Sequence, residues 1–392
     1  MPIALYALAL GGFGIGLTEF GTIGLLPQIG GDFSISAATA GYLVSGYALS
    51  VAIGGILITI AVTKLERKKV LLGLMALFVI GNFISGIASS FHIMMIGRVV
   101  SALCHGAFFG IGAVVATDLV DKDKKARAIS VMFTGLTVAN VLGVPFGTAI
   151  GQHFGWRATF LCISVIGLMA FIAIVILVPI DPPLDSEMNP RSIRGELLVF
   201  KERQVWYSLL VTIFGFGGMF GGFTYIAYTL TQVTHFSDSS IPFILFLFGI
   251  GVFAGNYIGG KSADKNLQAT ISGYLGVLFI ILIIFAFTAS NKIAAVTCIL
   301  LMGILGFAPV SAVQMRVMRY ASNAPTLASG ANIASFNIGN TIGASAGGLL
   351  IAHEFGYASP LWSAAALTGI ALVIFYFATF DERTTLKNSR KP

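Results

Sequence analysis

The chain has 392 residues, 56% of them hydrophobic and only 10% charged, with a mean hydropathy of +0.91. A soluble domain carries about 25% charged residues, so the composition excludes an ordinary water-soluble domain and indicates a polytopic α-helical membrane protein. The net charge of +7 raises the question of a nucleic-acid partner, but no soluble basic domain is left over to present a binding patch, and none is expected.

Apolar stretches long enough to cross about 30 Å of hydrocarbon recur along the whole chain. Twelve spans are predicted, at about 4–26, 38–62, 69–90, 93–117, 128–150, 158–179, 205–230, 240–260, 269–289, 293–314, 326–351 and 359–380. The first begins almost at Met1 and runs for a full span, so no cleavable signal peptide is expected. With both termini placed in the cytoplasm, only Arg157 and Lys292 among the 23 Lys and Arg fall on the outer side and Arg98 falls within a span. The rest lie on the inner side, a strong positive-inside signal that accounts for the basic balance. Cys104, Cys162 and Cys298 are scattered through apolar spans, which indicates neither a disulfide framework nor a metal site. No cofactor is implied.

In chain order, the first span carries Glu19 and the fourth carries Arg98, each a charge at bilayer depth that costs about 2.5–3.5 kcal/mol on insertion scales. Counted from the outer ends of their spans, the two differ in depth by roughly 3 Å, so an ion pair, direct or through water, is allowed. Glu19 is then the candidate proton-coupling carboxylate and Arg98 its tuner; a static pair that fixes two helices is the bland alternative. His105, seven residues after Arg98, shares its helix face and is a relay or ligand contact, or a neutral packed histidine. Asp118 and Arg127 flank the next cytoplasmic turn and are expected to pair. Span five carries Gly143, Gly147 and Gly151 at every fourth position, with Pro145 inside the run, and span eleven carries Gly339, Gly343 and Gly347. Such rows let helix backbones approach, and two of them at matching places point to a six-plus-six duplication. The polar stretch 181–204 separates residues 1–180 from 205–392; within it, 191–203 reads either as an interfacial helix or as a plain linker. Asn140, Asn332, Asn337 and Asn340 offer hydrogen bonds to a substrate or to a neighbouring helix. Tyr225 and Tyr228, with Phe220 and Phe223, offer an aromatic wall.

Gly255-x-x-x-x-Gly260-Lys261-Ser262 satisfies the formula of a phosphate-cradling loop. Such a loop joins a strand to a helix, whereas here it ends one apolar span and precedes another, so nucleotide binding is not expected. The segment Gly260 to Lys265, with Asp264, instead resembles the Gly-x-Leu-Ala-Asp-Arg loop of the major facilitator superfamily. Its first-half counterpart keeps Lys64, Arg67 and Lys68 but has Thr63 in place of the aspartate and Glu66 in place of the glycine. "GRVVSALCHGAFFG" around Arg98 resembles the family's fourth-span signature, and "GLTVANVLGVPFG" its fifth-span antiporter signature with Gly143, Pro145 and Gly147. "GTIGLLPQI", "FGWRATF" and "SFNIGNTIGASAGG" resemble the twelve-span drug:proton antiporter branch, which holds arabinose and other sugar, purine and chloramphenicol exporters.

The resemblance implies two pseudo-symmetric six-helix bundles and alternating access, in a bacterial inner membrane protein that works as a monomer. It implies efflux of a small amphipathic compound or metabolite against protons, with gating roles for Arg67, Lys68, Asp118, Arg127, Gly260, Asp264 and Lys265. A facilitator or importer of sugars or nucleosides would share the fold. A membrane enzyme is not expected, because no cluster of nucleophile, base or metal ligands appears in the spans.

Overall fold

A computed structural model describes residues 1–62, 65–121, 124–179 and 197–388. Hydrocarbon offers no partner to a backbone N–H or C=O, so a chain this apolar satisfies those groups within each segment by forming helices. Twelve long helices result among the described residues: α1 (Ala4–Asp32), α2 (Ala37–Ala61), α3 (Arg67–Gly86), α4 (Phe91–Asp118), α5 (Lys125–Val138, a π turn at Ala139–Gly143, then Val144–Phe154) and α6 (Trp156–Leu177). The second six are α7 (Arg203–Thr224, Ile226–Tyr228 and a π turn at Thr229–Val233), α8 (Ile241–Lys265), α9 (Leu267–Thr288), α10 (Lys292–Phe307, then Val310–Tyr320), α11 (Pro325–Ala352) and α12 (Ser359–Asn388). Eleven are long and apolar enough to cross a membrane by composition alone. The 28-residue α11 falls short because Asn332, Asn337 and Asn340 dilute it, and all three are buried against protein.

Local chemistry sets the turns. Ser90, Asn266 and Asn291 cap α4, α9 and α10 by accepting backbone N–H bonds in the first turn. The α5–α6 connection is the single residue Gly155 at φ 85°, a conformation that favours glycine. Pro145 has no N–H to give Val141, and the π turn just before it absorbs that missing bond, so the distortion of α5 lies one turn ahead of the proline.

The packing is twinned. α1 packs on α5 and α6 as α7 packs on α11 and α12. α4 packs on α2 and α3 as α10 packs on α8 and α9, and the pair α3–α6 recurs as α9–α12. Between the sixes, α2 meets α11 and α5 meets α8, contacts that the same two-fold exchanges. This is the parallel-repeat architecture of two-bundle transporters. The glycine rows serve it: Gly143 and Gly151 lie under Leu17 and Leu25 of α1, while Gly339 and Gly343 lie on the backbone of α7 at Gly217.

An even number of crossings puts both termini at one end. The hydrogen bonds that join the two sixes lie toward the other end: Tyr228 Oη donates to the Leu26 carbonyl (3.0 Å), Gln152 Nε2 to that of Asp238 (2.6 Å) and Thr341 Oγ1 to that of Ser45 (3.3 Å).

One expectation about the spans needs correction. α8 does not stop near residue 260; it runs to Lys265, and Asn266 alone separates it from α9. Residues 255–262 are therefore helical throughout, and only the first four N–H groups of a helix are free to hold an anion, which removes the phosphate-loop reading on geometry. Within 191–203, residues 191–196 lie outside the described residues, as do Thr63, Lys64 and most of 181–204. Leu197–Lys201 is one 3-10 turn leading into α7.

The α7–α11 crossing predicts a contrast. A Cβ on Gly343 would collide with the Gly217 carbonyl, whereas Gly260 has nothing within 4 Å of such an atom. Gly343→Val is expected to lower stability by roughly 1–3 kcal/mol and Gly260→Ala to leave it unchanged, as read by thermal unfolding in detergent.

Candidate functional site

α4 carries Arg98 and His105 on one face, two turns apart, and both are buried. α1 presents Thr18 and Glu19 to them, also buried, and α2 inserts Tyr47 between. Of the two forms of pairing allowed for Glu19 and Arg98, the direct one is not formed: neither oxygen of Glu19 lies within 4.0 Å of an Arg98 nitrogen. Arg98 Nη1 donates instead to the Thr18 carbonyl (2.6 Å) and to Thr18 Oγ1 (3.2 Å), and Nε to the Leu43 carbonyl (3.2 Å). The guanidinium lies 4.0 Å from the centre of the Tyr47 ring. Backbone carbonyls and an aromatic face thus take the cation, whose forked donors suit several acceptors at once.

Glu19 is closest to His105: Oε2 lies 3.9 Å from Nε2. The other ring nitrogen, Nδ1, is 3.3 Å from Tyr47 Oη. Among the described residues the Glu19 carboxylate accepts no hydrogen bond. Thr18 Oγ1 donates to Asn82 Oδ1 (2.5 Å), and Asn82 Nδ2 donates to the Phe78 carbonyl (2.9 Å), which braces α1 on α3. The groups therefore form a chain, Glu19–His105–Tyr47–Arg98, in which the two charges are separated by two aromatic side chains.

The four asparagines divide. Asn332 is wired into its own half, accepting from Thr212 Oγ1 (2.7 Å) and donating to Gln314 Oε1 (2.6 Å). Asn140 Nδ2 and Asn337 Nδ2 donate to carbonyls one turn back, of Leu136 (3.2 Å) and Ile333 (3.1 Å). Asn337 and Asn340 are buried and lie one turn apart on α11. Beside them Phe336 meets Phe216 (centroids 4.8 Å), Phe216 stacks on Phe220 (5.8 Å), and Phe220 meets Phe20, the neighbour of Glu19, across the interface (5.5 Å). Phe223 stacks on Phe248 at 3.8 Å. The aromatic wall is thus built of phenylalanines.

Tyr225 and Tyr228 stand elsewhere in this conformation. Tyr225 Oη donates to the Ala344 carbonyl (2.9 Å), its ring fills the space beside Gly41, and Tyr228 stacks on Tyr357 (5.5 Å) at the closed end. Both rings are buried, and each hydroxyl finds its partner on the backbone.

At the end bearing the termini, Asp118 pairs with Arg67 and not, as expected, with Arg127. The helix start at Arg67 brings that side chain to the end of α4, while Arg127 is exposed one turn into α5, beside a surface recess of about 460 Å³ lined also by Met1, Asp118 and Lys124. Lys124 bonds Asp121 (2.8 Å) and holds that carboxyl below its ordinary range. Lys68 donates to the Val175 carbonyl (2.9 Å), tying α3 to α6. Asp264 and Lys265 are exposed on the last turn of α8.

Sequence reasoning missed Tyr47 and Arg316. The sequence groups Arg316 with the topology-setting charges, yet it is 1% exposed, donates through Nη2 to Gln204 Oε1 (2.8 Å) and lies against the rings of Tyr320 and Phe375. The available signal was its place inside an apolar helix rather than in the loop beyond it.

Twelve helices in twinned sixes, with buried polar groups gathered where the sixes meet, define a multi-pass membrane transporter. The chain belongs to the Major Facilitator Superfamily, whose family model matches residues 8–332. It is 40% identical to the inner membrane transport protein YdhP of Escherichia coli strain K12 over 382 residues, 97% of either chain. It is 30% identical to a probable sugar efflux transporter of Helicobacter pylori strain G27, over 97% of this chain and 96% of that one. A bacterial homologue of the human lysosomal transporter Spinster, solved in an inward-facing, unoccupied conformation, shares the fold at TM-score 0.75 and 19% identity, over 99% of this chain and 98% of that one.

The wiring of Asn332 predicts that Asn332→Leu, which strips partners from Thr212 and Gln314, lowers stability by about 1–3 kcal/mol. Thermal unfolding in detergent checks it.

Proposed function

We propose that the protein exports small, weakly charged amphipathic compounds in exchange for protons, by alternating access between residues 1–180 and 205–392. It works as a monomer in a bacterial inner membrane with both termini in the cytoplasm. The observation that carries this reading is Glu19: a buried carboxylate that accepts no hydrogen bond among the described residues, next in the chain to Phe20, which meets Phe220 of the other half, and not directly paired with the nearby arginine.

A carboxylate so placed is costly to keep charged in a dry site, and protonation removes that cost. A proton taken up when the site opens outward lets the halves close around a neutral Glu19. A proton released when the site opens to the cytoplasm leaves an anion that must be compensated before the halves close again, and substrate entry meets that need. His105, Arg98 and Tyr47 surround the carboxylate through this exchange. The row Phe20, Phe220, Phe216 and Phe336 offers a flat apolar body a surface, and the Asn337 and Asn340 amides offer its polar groups hydrogen bonds. Asn140 stands where α5 meets α8; Arg67, Lys68, Asp118, Arg127, Gly260, Asp264 and Lys265 edge the cytoplasmic mouth. The efflux named for the Helicobacter pylori relative supports the direction of transport, and the Escherichia coli relative's name supports the membrane.

The test is a proteoliposome assay with an imposed pH gradient and a panel of antibiotics, purines and sugars. Substrate is expected to accumulate against its own gradient while protons move oppositely, and Glu19→Gln is expected to abolish gradient-driven transport while remaining folded. Retained coupling in that variant rejects the assignment, and equilibration without proton flux favours a facilitator.

A further inference from the structure

Tyr47 touches both polar groups that α4 aims at α1. Its hydroxyl lies 3.3 Å from His105 Nδ1, and its ring face carries the Arg98 guanidinium at 4.0 Å. Arg98 and His105 are seven residues apart, about 10.5 Å along the helix axis, and the long axis of a tyrosine covers most of that gap. One turn before Tyr47 on α2, the Leu43 carbonyl accepts from Arg98 Nε (3.2 Å), so Leu43 and Tyr47 clamp the guanidinium from one face of one helix. Tyr47 is 2% exposed and its hydroxyl bonds nothing else among the described residues.

We propose that Tyr47 is a positioning residue for Glu19: the hydroxyl fixes which nitrogen of His105 faces the carboxylate, and the ring keeps Arg98 on the Thr18 and Leu43 carbonyls and off it. The inference rests on the reading of Glu19 given above. Its chemistry follows from the two ring nitrogens of histidine, since a partner on one sets the protonation of the other. Held at Nδ1 by Tyr47, His105 meets Glu19 with Nε2 alone. Among the described residues, the ionisable groups near Glu19 are His105 and Arg98 from α4 and Tyr47 from α2.

Tyr47→Phe keeps the ring under Arg98 and removes only the hydroxyl; Tyr47→Leu removes both. The first readout needs no transport. In full-length protein with ¹⁵N-labelled histidine, in lipid nanodiscs, the His105 resonances are assigned by their loss in His105→Gln. The wild type is expected to show one dominant tautomer and Tyr47→Phe a mixture, with unchanged thermal unfolding. Identical His105 spectra in the two proteins overturn the proposal. The second readout is the pH profile of proton-driven exchange in proteoliposomes, where Tyr47→Phe is expected to move the midpoint by about half a pH unit or more. His105→Gln should move it as far, and the double variant no further, because both changes break one linkage. A changed tautomer with an unmoved profile overturns the positioning role, as does full additivity. Failure of the Glu19 reading itself is separate, because it shows as retained coupling in Glu19→Gln.

Discussion

A guanidinium buried in protein seeks its acceptors there, and Arg98 finds main-chain carbonyls for Nε and Nη1 while Nη2 has no hydrogen-bond partner among the described residues. Backbone acceptors belong to the helices themselves, so the bonds to Thr18 and Leu43 fix α4 against α1 and α2 at one level. Breaking such a set would leave an uncompensated charge in a low-dielectric interior. The first six helices therefore hold together as a unit around this cation. The same arrangement explains why Glu19 stands apart. Two nitrogens of the arginine are held by carbonyls and its face lies on the Tyr47 ring, while the carboxylate stands 3.9 Å from His105.

The two sixes share a packing plan but not a polar plan. The second half also buries one arginine, yet Arg316 sits near the end of α10 that bears the termini, bound to Gln204 of α7 and leaning on Phe375 of α12. At the level where the first half has Glu19, Arg98 and His105, the second half places the phenylalanines of α7, α8, α10 and α11 and the amides of α11. Duplication preserved the glycine rows that set helix approach and let the interior chemistry diverge, with titratable groups on one side and apolar surface with hydrogen-bonding amides on the other.

Hydropathy and glycine spacing made twelve spans and their twinning legible, because both follow from constraints that act on every residue of a span. The span at 326–351 was placed within a residue of α11 although it reads as less apolar than its neighbours, since Asn332, Asn337 and Asn340 are buried in protein. Depth counting brought Glu19, Arg98 and His105 to one level but could not say which would pair, because that depends on helix rotation and on Tyr47 arriving from a third helix. Tyrosine is common enough that nothing in the local sequence marks position 47. Arg316 was misread for the opposite reason: a basic residue close to a span end normally sets topology. The turn after α8 was misjudged because Gly260 suggests a loop, while Asn266 is the residue that caps the next helix.

The seam between the halves has a physical character different from the interior of either. Within the halves, buried side chains such as Arg98, Asn332 and Thr18 cross-link helices at several points. Across the seam, the α5–α8 contact is made by bare backbone, where a methyl group on Gly249 would lie 2.7 Å from both the Asn140 carbonyl oxygen and the Val141 Cα. Hydrogen bonds join the seam toward one end, through Tyr228, Gln152 and Thr341, and each is worth only about 1 kcal/mol net. A backbone contact made by packing can tilt without orphaning a polar group in hydrocarbon, and a few weak bonds at one end can be exchanged for others at the opposite end. Halves joined by such a seam can tilt against each other with few buried polar groups to re-pair.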